Sequence, residues 1–318
     1  LNGDLKSGKG VGLLGNFVTN SLIYMTGMGK ADIKLGNPIN TSQWLDENKA
    51  SFVPPVCNKL MYGQGQLKVM YVGGPNTRRD FHIEEGEEFF YMVKGDMCLR
   101  VMEQGKPKDI IIREGEVFLL PCHIPHSPQR SENTVGLVIE REREEGEQDC
   151  LRYYCEDNKT ILFETWFHCS DLGKDLVPIV KSFFTSEQHK TGKPIPGTIT
   201  DNPPLQVDAT TKLADPFSLR KWVEDSKDEL NEKGSKVLFG TQQSKITVHG
   251  PGEYSTGGDS ETWLWQISGN SNLNCNGVKA KLVNTDVFLV PSGTKYTCKI
   301  EPDAMMVSIV MDPKMKSK

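Results

Sequence analysis

Residues 81–91 read "FHIEEGEEFFY". One histidine, His82, stands among the glutamates 84, 85, 87 and 88, with Phe89, Phe90 and Tyr91 directly behind them. Acids packed this tightly ordinarily mark a solvated loop. Here they run straight into "EFFYMVKGD", a stretch rich in aromatics with a glycine turn after it, which reads as a strand. Imidazole and carboxylate are the donors of a divalent-metal site, and a strand holds them rigidly. The segment reads as half of such a site.

Working outward, residues 66–140 hold short apolar runs separated by glycine-containing turns: "QLKVMYVGG", "MCLRVMEQGK", "DIIIREGE", "VFLLPC" and "TVGLVIERE". This spacing predicts antiparallel strands that close as a small jelly roll. Upstream, residues 36–50 predict a short helix capped by Thr41 or Ser42, and "FVPPVCNKLM" reads as extended because its prolines bar a helix. Beyond residue 150 the pattern changes. "SDLGKDLVPIVKSFFTSEQHKTG" has helical period from a capping Ser170 or Asp171 to Gly192, and "DPFSLRKWVEDSKDELNEKG" predicts a second helix burying Phe217, Leu219, Trp222 and Leu230.

Residues 236–312 return to strands and repeat the first block. "FFYMVKGD" aligns with "WLWQISGN", placing Gly95 on Gly269, and "GEVFLLPCHIPH" aligns with "TDVFLVPSGTKY", placing Pro121 on Pro291. The expected fold is mainly β: two jelly-roll barrels joined by a helical segment. The expected divisions are a metal-binding barrel over 28–150, a helical link over 151–235 and a second barrel over 236–318. Residues 1–27, which precede an internal Met28, are expected to be a disordered leader or an appended extension.

The 318 residues carry a net charge of −5, with 37% hydrophobic and 25% charged residues. No basic field is present to attract nucleic acid or an anionic membrane surface. No apolar run reaches the length of roughly 18–20 residues that a spanning helix needs. Eight cysteines are scattered with no CxxC pair, which fits neither a zinc ribbon nor a disulfide framework. A reducing compartment, the cytosol, is the expected location.

His82 is followed six residues on by Glu88 and then by Gly95, while Gly115 precedes Pro121 and His126. Two imidazoles and one carboxylate on one face of a metal leave positions open for substrate and oxygen. His123, His168, His189 and His249 are expected to be ordinary polar residues, and Glu84, Glu85 and Glu87 loop acids.

These two motifs resemble the cupin patterns G-x5-HxH-x3,4-E-x6-G and G-x5-PxGxxHxxxN. Glu84 stands where the usual second histidine would be, His123 where the usual glycine would be, and Arg130 where the asparagine would be. From Trp44 onward the chain more closely resembles the 3-hydroxyanthranilate 3,4-dioxygenase family, on "PPVCNKLM", "GGPNTRRDFHIEEGEEFFYMVKGDMCLRV", "GEVFLLPCHIPHSPQRSENTVGLVIERERE", "LRYYC", "SEQHKTGKPIP" and "WLWQISG". The likeness is to the animal-type, two-cupin form, without the cysteine pairs of bacterial members.

The resemblance implies a non-haem Fe(II) enzyme that opens the ring of 3-hydroxyanthranilate with O2. It implies His82, Glu88 and His126 as metal ligands, and Arg78 and Glu140 as catalytic residues, Arg78 toward O2. Glu88, Arg130, Glu140 and Asn58 then face the substrate. Arg78 lies four residues before His82 and Arg130 four after His126, and a guanidinium suits a carboxylate bidentately. Glu140 follows an apolar run and needs a partner there, which a substrate amine or hydroxyl would supply.

In the second barrel the ligand positions fall on Thr256, Thr262 and Tyr296, so that barrel is expected to hold no metal and to stand where another subunit would pack, leaving a monomer. The alternative is a non-catalytic or differently specific metal-binding bicupin. A storage protein ordinarily loses the ligands in both halves, an isomerase wants phosphate-binding lysines, and a thiol dioxygenase keeps a third histidine.

Overall fold

The computed structural model describes residues 35–54 and 57–317; the expected leader, residues 1–27, lies outside them. Strands dominate and form four sheets. In the first barrel, a six-stranded sheet containing Leu67–Gly73, Glu88–Lys94, Glu116–Leu120 and Val135–Arg141 faces a second containing Phe81–Ile83, Met97–Glu103 and His126–Arg130. The second barrel repeats the plan with a six-stranded sheet around Thr262–Ser268 and a four-stranded one around Lys295–Ile300.

The repeat holds residue by residue. His82 pairs with His126 on the neighbouring strand of the first barrel, and Thr256 pairs with Tyr296 on the neighbouring strand of the second. Glu88 opens Glu88–Lys94 as Thr262 opens Thr262–Ser268. The motif glycines Gly95 and Gly115 have φ of 67° and 78°, the left-handed region that glycine enters without steric cost. Their counterparts Gly269 and Thr285 have φ of 64° and 72°.

Packing explains why the strand runs read as continuously apolar. Along Glu88–Lys94, Phe90 and Met92 point into the first barrel, while Phe89 and Tyr91 point out. Outward they meet Trp263, Trp265, Val307 and Ile309 of the second barrel in one shared core. Strands buried on both faces lose the polar alternation of a half-exposed sheet. The helices at Leu219–Asp225 and Lys227–Lys233 seal this seam with Leu219 and Leu230.

Several boundaries differ from the sequence expectation. Residue 150 falls inside the strand Asp149–Tyr154, which with Ile161–Phe167 extends the sheet carrying His82. The segment from 151 therefore begins as part of the first barrel. Asn40, not Thr41 or Ser42, caps the first helix by accepting from Gln43 N at 3.1 Å, because the Thr41 hydroxyl donates to the Thr285 carbonyl at 2.7 Å.

The helix expected over 170–191 is two, Leu172–Thr185 and Glu187–Thr191. The extended Ser186 (φ −72°, ψ 159°) interrupts them and caps the second through His189 N. Phe217 is a strand residue instead of a helical one. Phe217–Ser218 pairs with Val117–Glu116 at the edge of the first barrel, and Ile39–Asn40 pairs with Val287–Asp286 at the matching edge of the second. No helix among the described residues is long and apolar enough to cross a membrane.

Candidate metal centre

Strand period places the donors. His82 and Glu84, two residues apart, project into the first barrel, while Ile83 between them packs outward with Cys150 and Leu205. The loop through Gly86 returns the chain to Glu88 at the start of the next strand, and His126 opens the strand that pairs with His82. His82, Glu84, Glu88 and His126 are all buried, and one donor atom from each lies within 4.8 Å of the others.

Secondary contacts fix the rings. His126 Nδ1 lies 3.0 Å from the Ile124 carbonyl, leaving Nε2 to face Glu88 Oε1 at 2.7 Å. His82 Nε2 lies 2.7 Å from Asp149 Oδ2, a carboxylate–histidine pair of the kind that orients metal ligands. Burial works against the Glu88 carboxylate, yet the adjacent His126 outweighs it and holds its pKa below the usual carboxylate range. Burial likewise disfavours charge on His126, and Glu88 overrides it to raise the imidazole pKa. Two buried imidazoles and an ionised carboxylate converging at this distance fit a divalent transition metal.

The structure brings together the other expected residues. Asn58, Arg78, Arg130 and Glu140 line, with His82, Glu88 and His126, one cavity of about 350 Å³. Its apolar wall includes Met70, Val72, Phe90, Pro128 and Val138. Asn76 and Arg130 exchange both backbone hydrogen bonds at 2.9 Å, and the Gln129 side chain accepts from Arg78 N at 3.1 Å, so the two arginine segments are tied. Arg78 is held by Asp80, with Nε 3.0 Å from Oδ2. Arg130 is 5% exposed, its Nε has no partner, and burial lowers its pKa to about 10. A buried guanidinium of this kind favours an anion.

Four expectations need correction. Glu84 and Glu87 are buried, not solvated loop acids: Glu84 projects into the first barrel beside Arg143, and Glu87 is covered by Thr241 of the second barrel. Burial drives the Glu84 pKa well above the ordinary value, against the opposing pull of Arg143. The run "REREEGE" after Glu140, which its charges alone would make a solvated face, is solvated only at Glu144, Glu145 and Gly146: Arg141 is 2% exposed and the Arg143 side chain 5%. Glu140 does not wait for a ligand to partner it, since Arg143 Nη1 sits 3.1 Å from its Oε1.

Arg143 and Asp149 are functional candidates that the sequence reading missed. Arg143 joins Glu84, Glu140 and Asp149, the last through Nε at 3.1 Å and Nη2 at 2.9 Å, and so links the cavity wall to the residue orienting His82. The spacing Arg143-x5-Asp149 carries no motif that would have singled it out. His123 keeps its ordinary reading: its Nε2 lies 2.6 Å from Glu85 Oε2.

A family model described as 3-hydroxyanthranilic acid dioxygenase matches residues 34–184. The 3-hydroxyanthranilate 3,4-dioxygenase of Nematostella vectensis is 52% identical over 270 residues, covering 85% of this chain and 97% of the relative. The human protein of that name is 49% identical over 86% of this chain and 96% of its own length. Among solved structures, the salicylate 1,2-dioxygenase of Pseudoaminobacter salicylatoxidans superposes with a TM-score of 0.54 at 14% identity, covering 88% of this chain and 82% of that one, a likeness of fold alone. With half its residues shared along nearly the whole length of these relatives, the chain belongs to the 3-hydroxyanthranilate 3,4-dioxygenase family.

Proposed function

We propose that this chain is a ring-cleaving dioxygenase that converts 3-hydroxyanthranilate and O2 to 2-amino-3-carboxymuconate semialdehyde, the precursor of quinolinate, with Fe(II) held by His82, Glu88 and His126. One observation carries the reading: His82, Glu88 and His126 of the donor cluster open on the same cavity as the buried, partner-poor Arg130. Bound Fe(II) supplies the redox chemistry that lets O2 react with an aromatic ring.

The chain's own residues do the rest. Arg130 receives the substrate carboxylate and fixes the ring, and Asn58 also lines the cavity. Arg78, steadied by Asp80, offers positive charge on the side where oxygen reacts. Burial raises the Glu140 pKa despite the Arg143 guanidinium, which suits Glu140 to accept and hold a proton from the substrate hydroxyl or amine. The apolar wall limits water around the opening ring.

The metal-binding barrel then runs through the strand ending at Phe167, residues 168–234 form the link, and 235–311 the metal-free barrel. The shared core between barrels occupies the face another subunit would use, which supports a monomer. Scattered cysteines, none in a disulfide, favour the cytoplasm.

The test is metal replacement. Stripped protein is reloaded anaerobically with Fe(II), Mn(II), Co(II), Ni(II) or Zn(II) and given substrate and air. Ring opening with Fe(II) is the expected result. Turnover with another metal alone would overturn the iron assignment, and turnover with none would overturn the function.

A further inference from the structure

The proposed metal ligands belong to the first barrel, yet the loop that spaces them is held in part by the second. Residues 84–87 join the His82 strand to the Glu88 strand and carry three mutually repelling acids around Gly86. Such a loop does not hold one shape by itself. On one side the first barrel holds it, with His123 N donating to the Glu84 carbonyl at 2.9 Å, His123 Nε2 against the Glu85 carboxylate and Arg143 against that of Glu84. On the other its partners come from the turn 241–244, between the first two strands of the second barrel.

Thr241 Oγ1 donates to Glu87 Oε2 at 2.6 Å. Gln243 is 2% exposed and bonds in two directions: its Nε2 donates to the Glu85 carbonyl at 3.0 Å, and its Oε1 accepts from Arg141 Nε at 2.8 Å. The turn is itself fixed, by Ser244 N on Thr241 Oγ1 at 2.9 Å and by Asp312 N on the Gln243 carbonyl at 2.7 Å. Glu87 and Glu88 are consecutive and aim at opposite sides, one at the second barrel and one at the metal cluster. Fixing the Glu87 carboxylate therefore fixes the rotation of the backbone that presents Glu88.

We propose that the turn 241–244 of the metal-free barrel is a positioning element for the metal centre, with Thr241 and Gln243 as positioning residues, so that the first barrel's affinity for metal depends on the second. This rests on the reading of His82, Glu88 and His126 as ligands. It gives the second barrel a role beyond bulk packing.

The test measures Fe(II) affinity of the full chain by anaerobic competition with a chelator, alongside the unfolding temperature of the metal-free protein. Thr241→Val and Gln243→Leu are each expected to weaken Fe(II) binding roughly tenfold or more, the effect typical of removing a partner that orients ligands. Thr241→Ser, which keeps the hydroxyl, restores the parent affinity. Val307→Ala, in the shared core away from the loop, lowers the unfolding temperature and leaves affinity unchanged.

Parent-like Fe(II) affinity in both Thr241→Val and Gln243→Leu overturns the proposal. So does a loss of affinity that Val307→Ala reproduces at equal destabilisation. Failure of the parent protein to bind Fe(II) at all would instead overturn the ligand assignment, and the positioning role with it.

Discussion

At the scale of single residues, the cavity joins a cluster of candidate metal donors to Arg130, a buried guanidinium whose Nε has no partner. Arg130 is the group expected to recognise the substrate carboxylate, and a charge-assisted hydrogen bond of this kind contributes about 1.5–3 kcal/mol. Arg130→Met is therefore expected to reduce kcat/KM for 3-hydroxyanthranilate by one to two orders of magnitude, mainly through KM. Turnover of 2-aminophenol, which lacks the carboxylate, should be nearly insensitive to the same substitution. Equal losses on both compounds would remove Arg130 from the carboxylate site.

His249 makes a second prediction. It is buried in the other barrel with Nε2 2.8 Å from Ser308 Oγ, and burial, helped by Lys245, lowers its pKa to about 4. An unfolded histidine titrates near 6.5, so between these values the unfolded chain binds the extra proton. Stability is then complete above about pH 6.5 and falls as pH drops toward 4, by up to roughly 3 kcal/mol. Urea unfolding of the parent and of His249→Gln at pH 7 and pH 5 checks this: the parent loses more stability than the variant.

The proposed ligands were legible as candidates in the sequence because His82, Glu88 and His126 stand at motif spacing around Gly95, Gly115 and Pro121. Glu84, Arg143 and Asp149 were not, because a run of charges looks alike whether water or another barrel covers it. His123 is instructive in the same way. It has φ of 66° where its counterpart Gly293 has 72°, so the turn geometry persists although the residue that signals it does not.

At the scale of elements, the strand Asp149–Tyr154 is the one whose place was hidden. Sequence pattern assigned this stretch to a helical link, and its pairing with Phe81–Ile83 is a long-range contact that no local period announces. That pairing sets Leu151 opposite His82 and brings Asp149 to its ring. Asp149→Asn keeps the shape and removes the charge that orients His82. It is expected to weaken metal binding by about tenfold to a hundredfold, read by chelator competition, with the strand content by circular dichroism unchanged. Unaltered affinity would show that His82 is oriented by its strand alone. The strands of both barrels were legible from apolar runs and glycine turns, whereas the helix breaks at Ser186 and Ser226 were not. Each lies in a sequence whose helical period continues across the break.

At the scale of the whole molecule, the repeat seen in the sequence becomes two barrels sharing one core. Their dependence on each other follows from Trp263, fully buried in the core that residues of both barrels share. Trp263→Ala is expected to cost about 3–5 kcal/mol. Because the core is common, both barrels should lose structure in one transition, with metal release and the circular dichroism signal changing at the same urea concentration. Metal retained after the second barrel has unfolded would contradict the shared core.

The central claim is the reaction, and oxygen uptake tests it most directly. Fe(II)-loaded protein given 3-hydroxyanthranilate should consume one O2 for each ring opened, and the Glu88→Ala variant should consume none. No uptake by parent protein shown to hold iron would contradict the account.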